Sequence, residues 1–420
     1  MIAAGIYNTA LRLYKAGVHL AALAGKTKAK KWLAGRQHWQ EKMRTMGVGT
    51  APVVWIHAAS LGEFEQGRPV LEAIREQWPE YKILLTFFSP SGYEVRKDYP
   101  GADYICYLPL DTRGNARKFL EIAQPALAIF IKYEFWYHYL TELYKRKVPT
   151  LLISGIFRAD QAFFKPYGGM FRQLLKQLTH IFVQNNESLQ LLQGIGLQHC
   201  SVGGDTRFDR VSALLTEKRV LPEIEKFAAG RRLIVAGSTW PSDEKVLSGW
   251  WKEKGSEDVK LVIAPHEISE GHIAAIMAQF PGAQRFSEWK QRLAPAADVL
   301  IIDNIGLLTA LYRYAFIAYV GGGLDKGGIH NILEPAVYSK PVVIGPEFRK
   351  YFEAVELVEK GGALVITDQA SLHQCLELLL TDGQQYTATA LVAGNYVAAN
   401  TGATGKVIAY VQEKRFLSNK

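Results

Sequence analysis

Several things are scarce in this sequence. Its 420 residues include only three cysteines, Cys106, Cys200 and Cys375. They are scattered and odd in number, with no C-x-x-C pair and no Cys/His cluster. Neither a disulfide framework nor a metal site is therefore expected, and a reducing compartment fits. Acid is scarce at one end only. Nine of the 49 Lys and Arg fall in residues 1–44 against one acid, Glu41, so this arm carries +8 of the net +9. A chain that is nearly neutral elsewhere is not patterned as a nucleic-acid binder. A long uninterrupted apolar run is also missing. Met1 to Gly25 is apolar with helical spacing, but Arg12 and Lys15 interrupt it. A spanning helix needs about 20 mostly apolar residues, and two central charges cost roughly 5–7 kcal/mol. The expectation is a helix lying in the interface, with Ile2, Ile6, Leu13, Leu20 and Leu23 on one broad face. Lys26, Lys28, Lys30 and Lys31, beside Trp32, would draw it to an anionic leaflet by about 1 kcal/mol per charge. Charges that follow the apolar run are in the reverse order to a signal peptide.

What is present is a globular chain, 48% hydrophobic and 21% charged, too long for one ordinary core. Residues 50–210 alternate apolar β-rich runs (Val53–His57, Ile83–Phe88, Tyr104–Leu108, Leu127–Ile131, Thr150–Ser154, His180–Gln184) with amphipathic helical stretches. A second alternation runs through Leu233–Ala236, Leu261–Ala264, Val299–Ile302, Phe316–Val320, Val342–Ile344 and Ala363–Ile366. Strand–helix alternation predicts parallel sheets in α/β layers, with ligands outside the carboxyl ends of the strands. The expected division is an arm at 1–45, domains at 46–210 and 211–395, and a final helical segment at 396–420 packing back on the first domain.

The residues that follow each run then matter most. After Phe316–Val320 come Gly321, Gly322 and Gly323, then Gly327 and Gly328, and a short helix expected to start at Asn331 with Glu334 one turn in. Glycine loops expose backbone N–H groups, and a helix start favours an anion, so a phosphate fits here. No G-K-[ST] follows, which excludes a Walker loop. An Asn331–Glu334 capping box explains the same residues without a ligand. Glu63, after the first run, could take a proton from an attacking hydroxyl, or complete a capping box with Ser60. Lys132 and Glu134 stand at the end of the fourth run. Arg207 could grip a carboxylate or phosphate, or pair at the surface with Asp205 or Asp209.

The segments H-A-A-S-L-G-E at 57–63, F-F-S-P-S-G at 87–92, Y-L-P-L-D at 107–111, Y-E-F-W at 133–136, G-S-T at 237–239 and G-G-I-H-N-I-L-E-P-A at 327–336 resemble the Kdo transferases of lipopolysaccharide synthesis. Those enzymes move 3-deoxy-D-manno-octulosonic acid (Kdo) from CMP-Kdo to a lipid A precursor. The resemblance implies a GT-B fold, two Rossmann-like domains facing a cleft, with an N-terminal membrane-contacting helix. It also implies an inverting mechanism without metal or cofactor, working at the cytoplasmic face of the inner membrane. Glu63 matches the general base, and Arg207 falls where the family usually has a transition-state lysine. The family's E-T-E-x-W-P reads Lys132-Tyr133-Glu134-Phe135-Trp136-Tyr137 here, so the first glutamate, which has a transition-state role, is Lys132; either Glu134 takes over or that role is not general. Matches to the nucleotide contacts are His266, Glu267, Ile305, Gly306, Leu307, Asn331, Ile332, Leu333 and Glu334, with His266-Glu267 replacing the usual R-H pair; Ser238, Thr239, Gly322 and Gly323, in the loops after their strands, are expected in the same nucleotide pocket. A GT-B enzyme using a UDP-sugar and a silent binding protein on the same fold are the alternatives.

Overall fold

A computed structural model describes residues 2–217, 219–254, 258–292 and 297–418; the outermost residues of the expected arm and tail, 1 and 419–420, lie outside these. The chain forms two compact units, Met1–Arg210 with Thr401–Lys420, and Val211–Asn400.

The first unit is built on a parallel sheet of β1 (Val53–Ala58), β2 (Lys82–Phe87), β3 (Tyr104–Tyr107), β4 (Pro125–Ile131), β5 (Thr150–Gly155), β6 (His180–Val183) and β7 (Cys200–Val202). Their order is β3-β2-β1-β4-β5-β6-β7. β1 is buried along its whole length, as a central strand covered on both faces must be. Trp55 packs into an aromatic core with Phe119, Phe130 and Tyr139 on one face, while Val54 and Ile56 join Phe64, Val70 and Leu71 on the other. Helix Leu61–Gln77 lies close to the sheet because Gly67 lacks a side chain: a Cβ there would sit 2.0 Å from Ile131 Cδ1.

The second unit repeats the design with β8 (Arg232–Thr239), β9 (Val259–Pro265), β10 (Gln284–Arg285), β11 (Val299–Ile301), β12 (Ile317–Val320), β13 (Val342–Ile344) and β14 (Ala363–Val365), ordered β10-β11-β9-β8-β12-β13-β14. Each sheet has one more strand than its sequence shows, β7 and β10. In each sheet the connections leave in opposite directions from neighbouring strands, between β1 and β4 and between β8 and β12. Such switch points open a crevice at the carboxyl edge.

The arm folds as α1 (Ile2–Leu23) and α2 (Thr27–Gly35). No described helix is long and apolar enough to cross a membrane. α1 is held on its inner side. Tyr7 Oη donates to Asp111 Oδ2 at 2.5 Å, and His138 Nε2 lies 2.7 Å from Asn8 Oδ1. Just beyond α2, Arg36 donates to the carbonyls of Trp32, Phe88 and Leu108, with its guanidinium 3.9 Å from the Trp32 ring centre. Burial pulls the Arg36 pKa down to about 10, so the group stays charged at neutral pH. The outer side of α1 has no such contacts: Ile6, Leu13, Leu20 and Leu23 are each at least two-thirds exposed.

The helical segment expected at 396–420 is split between two helices. Gly402 takes the left-handed conformation (φ 99°), and the chain breaks between Gly383–Ala399 and Ala403–Glu413. Only the second joins the first unit. Its start has no side-chain cap of its own. Asp209 supplies one, accepting from the Gly402 and Thr404 N–H groups at 2.6 Å each. Asp209→Ala should therefore destabilise the first unit by about 1–2 kcal/mol, read as a lower denaturant midpoint with Asp209→Asn in between.

Candidate active site

The carboxyl edge of β1 and β4 gathers the first set of candidate residues. Ser60, in extended conformation, precedes helix Leu61–Gln77 and places Glu63 in its first turn, where the helix dipole favours a carboxylate. The reciprocal capping box does not form, since the Ser60 side chain accepts no backbone N–H. Instead the Ser60 hydroxyl donates to Glu63 Oε2. Glu63 is half-buried, with no side-chain bond to backbone among the described residues.

β4 ends in a left-handed turn at Lys132 (φ 67°), a conformation that costs a non-glycine residue roughly 1 kcal/mol or more. The turn brings Glu134 back beneath the edge, 8% exposed. Trp136 Nε1 donates to Glu134 Oε2 at 2.6 Å, and His57 Nε2 lies 3.1 Å from the same oxygen. On the other side of the ring, His57 Nδ1 lies 2.8 Å from Thr86 Oγ1, which accepts from Trp55 Nε1 at 2.8 Å. His57 Nδ1 also lies 3.1 Å from the Thr86 carbonyl, and Trp136 Nε1 is 3.1 Å from His57 Nε2, so the ring is held by Thr86 on one side and by Glu134 and Trp136 on the other. Sequence reading passed over His57, although it lies in the H-A-A-S-L-G-E segment; a lone buried histidine on a strand looks like core.

Arg207 is not in a surface pair. It clasps Asp205 through Nε at 2.9 Å and Nη2 at 2.7 Å, and Asp205 is only 6% exposed. Gln66 Nε2 donates to the same carboxylate at 2.7 Å, joining the loop after β7 to the Glu63 helix. Burial alone would raise the Asp205 pKa, but Arg207 and Gln66 together hold it below the ordinary carboxylate value.

In the second unit the glycine stretch departs from expectation. The N–H of Gly321 donates to the Gly237 carbonyl and that of Gly322 to Asp243 Oδ2, both at 2.9 Å, so neither is offered to a ligand. The glycines serve close approach: a Cβ on Gly323 would sit 2.7 Å from the Gly345 nitrogen. The short helix begins at Leu333, two residues later than expected. Asn331 still bonds both ways, accepting from Leu333 N at 3.2 Å and donating to Glu334 Oε1 at 3.1 Å. Ile332 and Leu333 are buried side chains, so only their backbone can meet a ligand. Thr239 is buried with its hydroxyl on Glu244 at 2.9 Å, and Ser238 before it is left-handed (φ 54°). Glu267 is exposed; its carbonyl meets the His272 ring. Ile305 is exposed, Gly306 left-handed (φ 89°) and Leu307 buried, in the loop after β11.

What does assemble here is a stack of rings. His266 lies over Trp240 at 4.8 Å and over His330 at 4.3 Å, and Trp240 Nε1 donates to His330 Nε2 at 3.1 Å. Trp240, Ser242, Gly322, Asp325, Gly328 and His330 line a cavity of about 620 Å³. Of the expected nucleotide contacts, Gly322 lines this cavity and His266 stacks on its wall; the Ile305–Leu307 loop does not reach it. Among the described residues no cluster of three or more His, Cys, Asp or Glu could hold a metal ion.

Residues 37–210 match the family model described as 3-deoxy-D-manno-octulosonic-acid transferase. The chain is 28% identical over 314 residues to the 3-deoxy-D-manno-octulosonic acid transferase of Aquifex aeolicus, spanning 74% of this chain and 80% of that protein. It is 25% identical over 391 residues to the enzyme of the same name from Haemophilus influenzae, spanning 89% and 90%. In fold it is similar to the UDP-GlcNAc 2-epimerases of Neisseria meningitidis (TM-score 0.62, 15% identity, 86% of this chain and 100% of that one) and Methanocaldococcus jannaschii (0.56, 13%, 86% and 99%). Two seven-stranded parallel sheets in Rossmann-like domains define the GT-B class of glycosyltransferase folds. Within that class its first unit matches the Kdo transferase family model, and the chain is similar to Kdo transferases over most of its length.

Burial first, and His266 beside it second, hold the His330 pKa at about 4. The unfolded chain takes up this proton near 6.5 and the folded one does not. Stability of the second unit should therefore fall as pH drops from about 6.5 toward 4. His330→Gln should flatten this loss in melts across that range.

Proposed function

We propose that the protein transfers Kdo from CMP-Kdo to the 6'-hydroxyl of a lipid A precursor, with inversion, at the cytoplasmic face of the inner membrane. The observation that carries the reading is Glu63: a carboxylate at a switch-point edge, one hydroxyl away from Ser60, in the segment that matches the Kdo transferase family model. In this reading Glu63 accepts the proton of the attacking hydroxyl as its oxygen bonds to the anomeric carbon. The bond from that carbon to the CMP phosphate oxygen breaks, and CMP leaves as the monoester anion. Glu134, fixed through His57 and Trp136, and Arg207, fixed through Asp205, supply charge to the same edge. A cation helps most where negative charge develops on the leaving group. The Trp240–His266–His330 stack offers a ring surface for the nucleotide base.

The membrane reading is supported by α1. Its inner side is hooked to the protein, and its outer stripe of Ile6, Leu13, Leu20 and Leu23 is largely exposed. An apolar stripe beside a +8 arm suits an anionic bilayer.

Glu63→Gln should lower transfer by at least a thousandfold while CMP binding by calorimetry stays within about threefold; near-normal turnover would remove Glu63 as the base. Leu13→Ser with Leu20→Ser should sharply reduce co-sedimentation with phosphatidylglycerol vesicles without lowering the melting temperature. Unchanged sedimentation would remove the stripe as the contact.

A further inference from the structure

A cavity in the first unit is unused by the chemistry above. It encloses about 940 Å³ between α1, α2 and the segment from Pro109 to Asn115. That is within the range of sites that take whole organic ligands. Its walls have two characters. Leu11, Trp32, Leu33, Trp39 and Leu110 form an apolar floor, and Arg12, Lys15 and Arg113 stand around it as cations. Among the described residues none of these three meets a carboxylate, and no acid lines the cavity. Elsewhere on this unit Lys31 pairs with Glu94 and Arg117 with Glu121. Three unpaired cations over an apolar floor complement a ligand with an anionic head and a hydrocarbon tail.

Position narrows the ligand further. Arg12 and Lys15 flank the outer stripe of α1, so a molecule held in a bilayer would meet these cations as it left the surface. From the floor, rings run to the carboxyl edge: Trp32 lies 5.8 Å from Phe88, and Phe88 lies 4.6 Å from Trp136, the residue that holds Glu134. A ligand seated here is thus next to the groups proposed for catalysis. An ordinary phospholipid would have no use for that adjacency.

We propose that this cavity is the docking site for the acylated, phosphorylated part of the lipid acceptor, an acyl chain lying on the Trp32–Leu33 floor and a phosphate between Arg12, Lys15 and Arg113. The proposal rests on the reading of the acceptor as a lipid A precursor.

Gly114 provides the test. It lines the cavity as the second residue of helix Arg113–Ala123, and a Cβ built on it meets nothing within 4 Å, so Gly114→Trp adds bulk at the cavity wall without a backbone clash. The probe is a phosphorylated, acylated glucosamine disaccharide with a photoreactive acyl end, in detergent, with the full-length protein. Cross-links should map to α1, α2 and residues 109–115. Gly114→Trp should weaken capture at least tenfold and raise the KM for the lipid tenfold with the KM for CMP-Kdo unchanged. Lys15→Glu with Arg113→Glu, both exposed, should do the same through charge and guards against misfolding of the first variant. Cross-links elsewhere, or capture unchanged in both variants, would overturn the proposal. So would equal competition by phosphatidylglycerol, which would make the cavity a general lipid site. Capture in the cavity by a protein that transfers nothing from CMP-Kdo would leave the site standing and remove the enzymatic reading.

Discussion

Everything in this molecule follows from strands that all run the same way. A parallel sheet needs a crossover helix for each strand, and the helices cover both faces. The only ground left for chemistry is the edge where strands end and helices begin. There the backbone must turn sharply, helix dipoles present their positive ends, and side chains from several connections converge. The reversal of connection direction between β1 and β4, and between β8 and β12, opens that edge at one place in each domain. Glu63, Glu134 and His57 cluster at the first opening, and Ser238, Trp240 and Gly322 at the second.

The two openings are furnished differently. At the first, charge is held by other side chains: Glu134 by His57 and Trp136, Arg207 by Asp205. A run of hydrogen bonds joining Trp55, Thr86 and His57 is a rigid support, because no member can rotate without leaving a buried polar atom unpaired. At the second, the backbone itself is packed so tightly that only glycine fits. The N–H groups of Gly321 and Gly322 hold the loop against β8 and Asp243. The loop therefore shapes a cavity wall beside the stacked rings of Trp240, His266 and His330.

Much of this could be read from the residues alone. Long apolar runs such as Leu127–Ile131 are fully buried strands, and their spacing told of two parallel sheets. β7 and β10 were not legible, because three residues and two residues at a sheet edge need no apolar run. Gly402 ended a helix that looked continuous, since its neighbours Tyr396, Val397, Val407 and Val411 keep helical spacing across the break. Glycine was read as exposing N–H groups when its work at 321–323 is close packing, and no sequence pattern distinguishes the two. The partners of Arg207 and Glu134 were hidden for a simpler reason. Both nearby carboxylates were weighed for Arg207, but burial separates them: Asp205 is under the loop, while Asp209 turns to cap the last helix.

In the proposed reading the arm's first helix serves two surfaces. Around α1, Tyr7, Asn8 and Leu11 lie on the side facing the protein, and Ile6, Leu13 and Leu20 on the opposite side. A helix stabilised only by burial on its own domain has no reason to carry a second apolar stripe, since exposed leucine contributes nothing in water. Arg12 and Lys15 occupy the flank between the two sides. A charge on that flank would be costly at the centre of a spanning helix, yet it is well placed on one lying along a bilayer, where long cationic side chains reach the headgroups. The same two residues stand at the mouth of the 940 Å³ cavity. Hooking the inner side to Asp111 and His138 fixes the helix against rotation, so the stripe, the cations and the cavity keep one orientation relative to the β1–β4 edge. That fixed orientation is what a surface-bound acceptor requires, because a substrate anchored in a plane can present its hydroxyl only at one height above it.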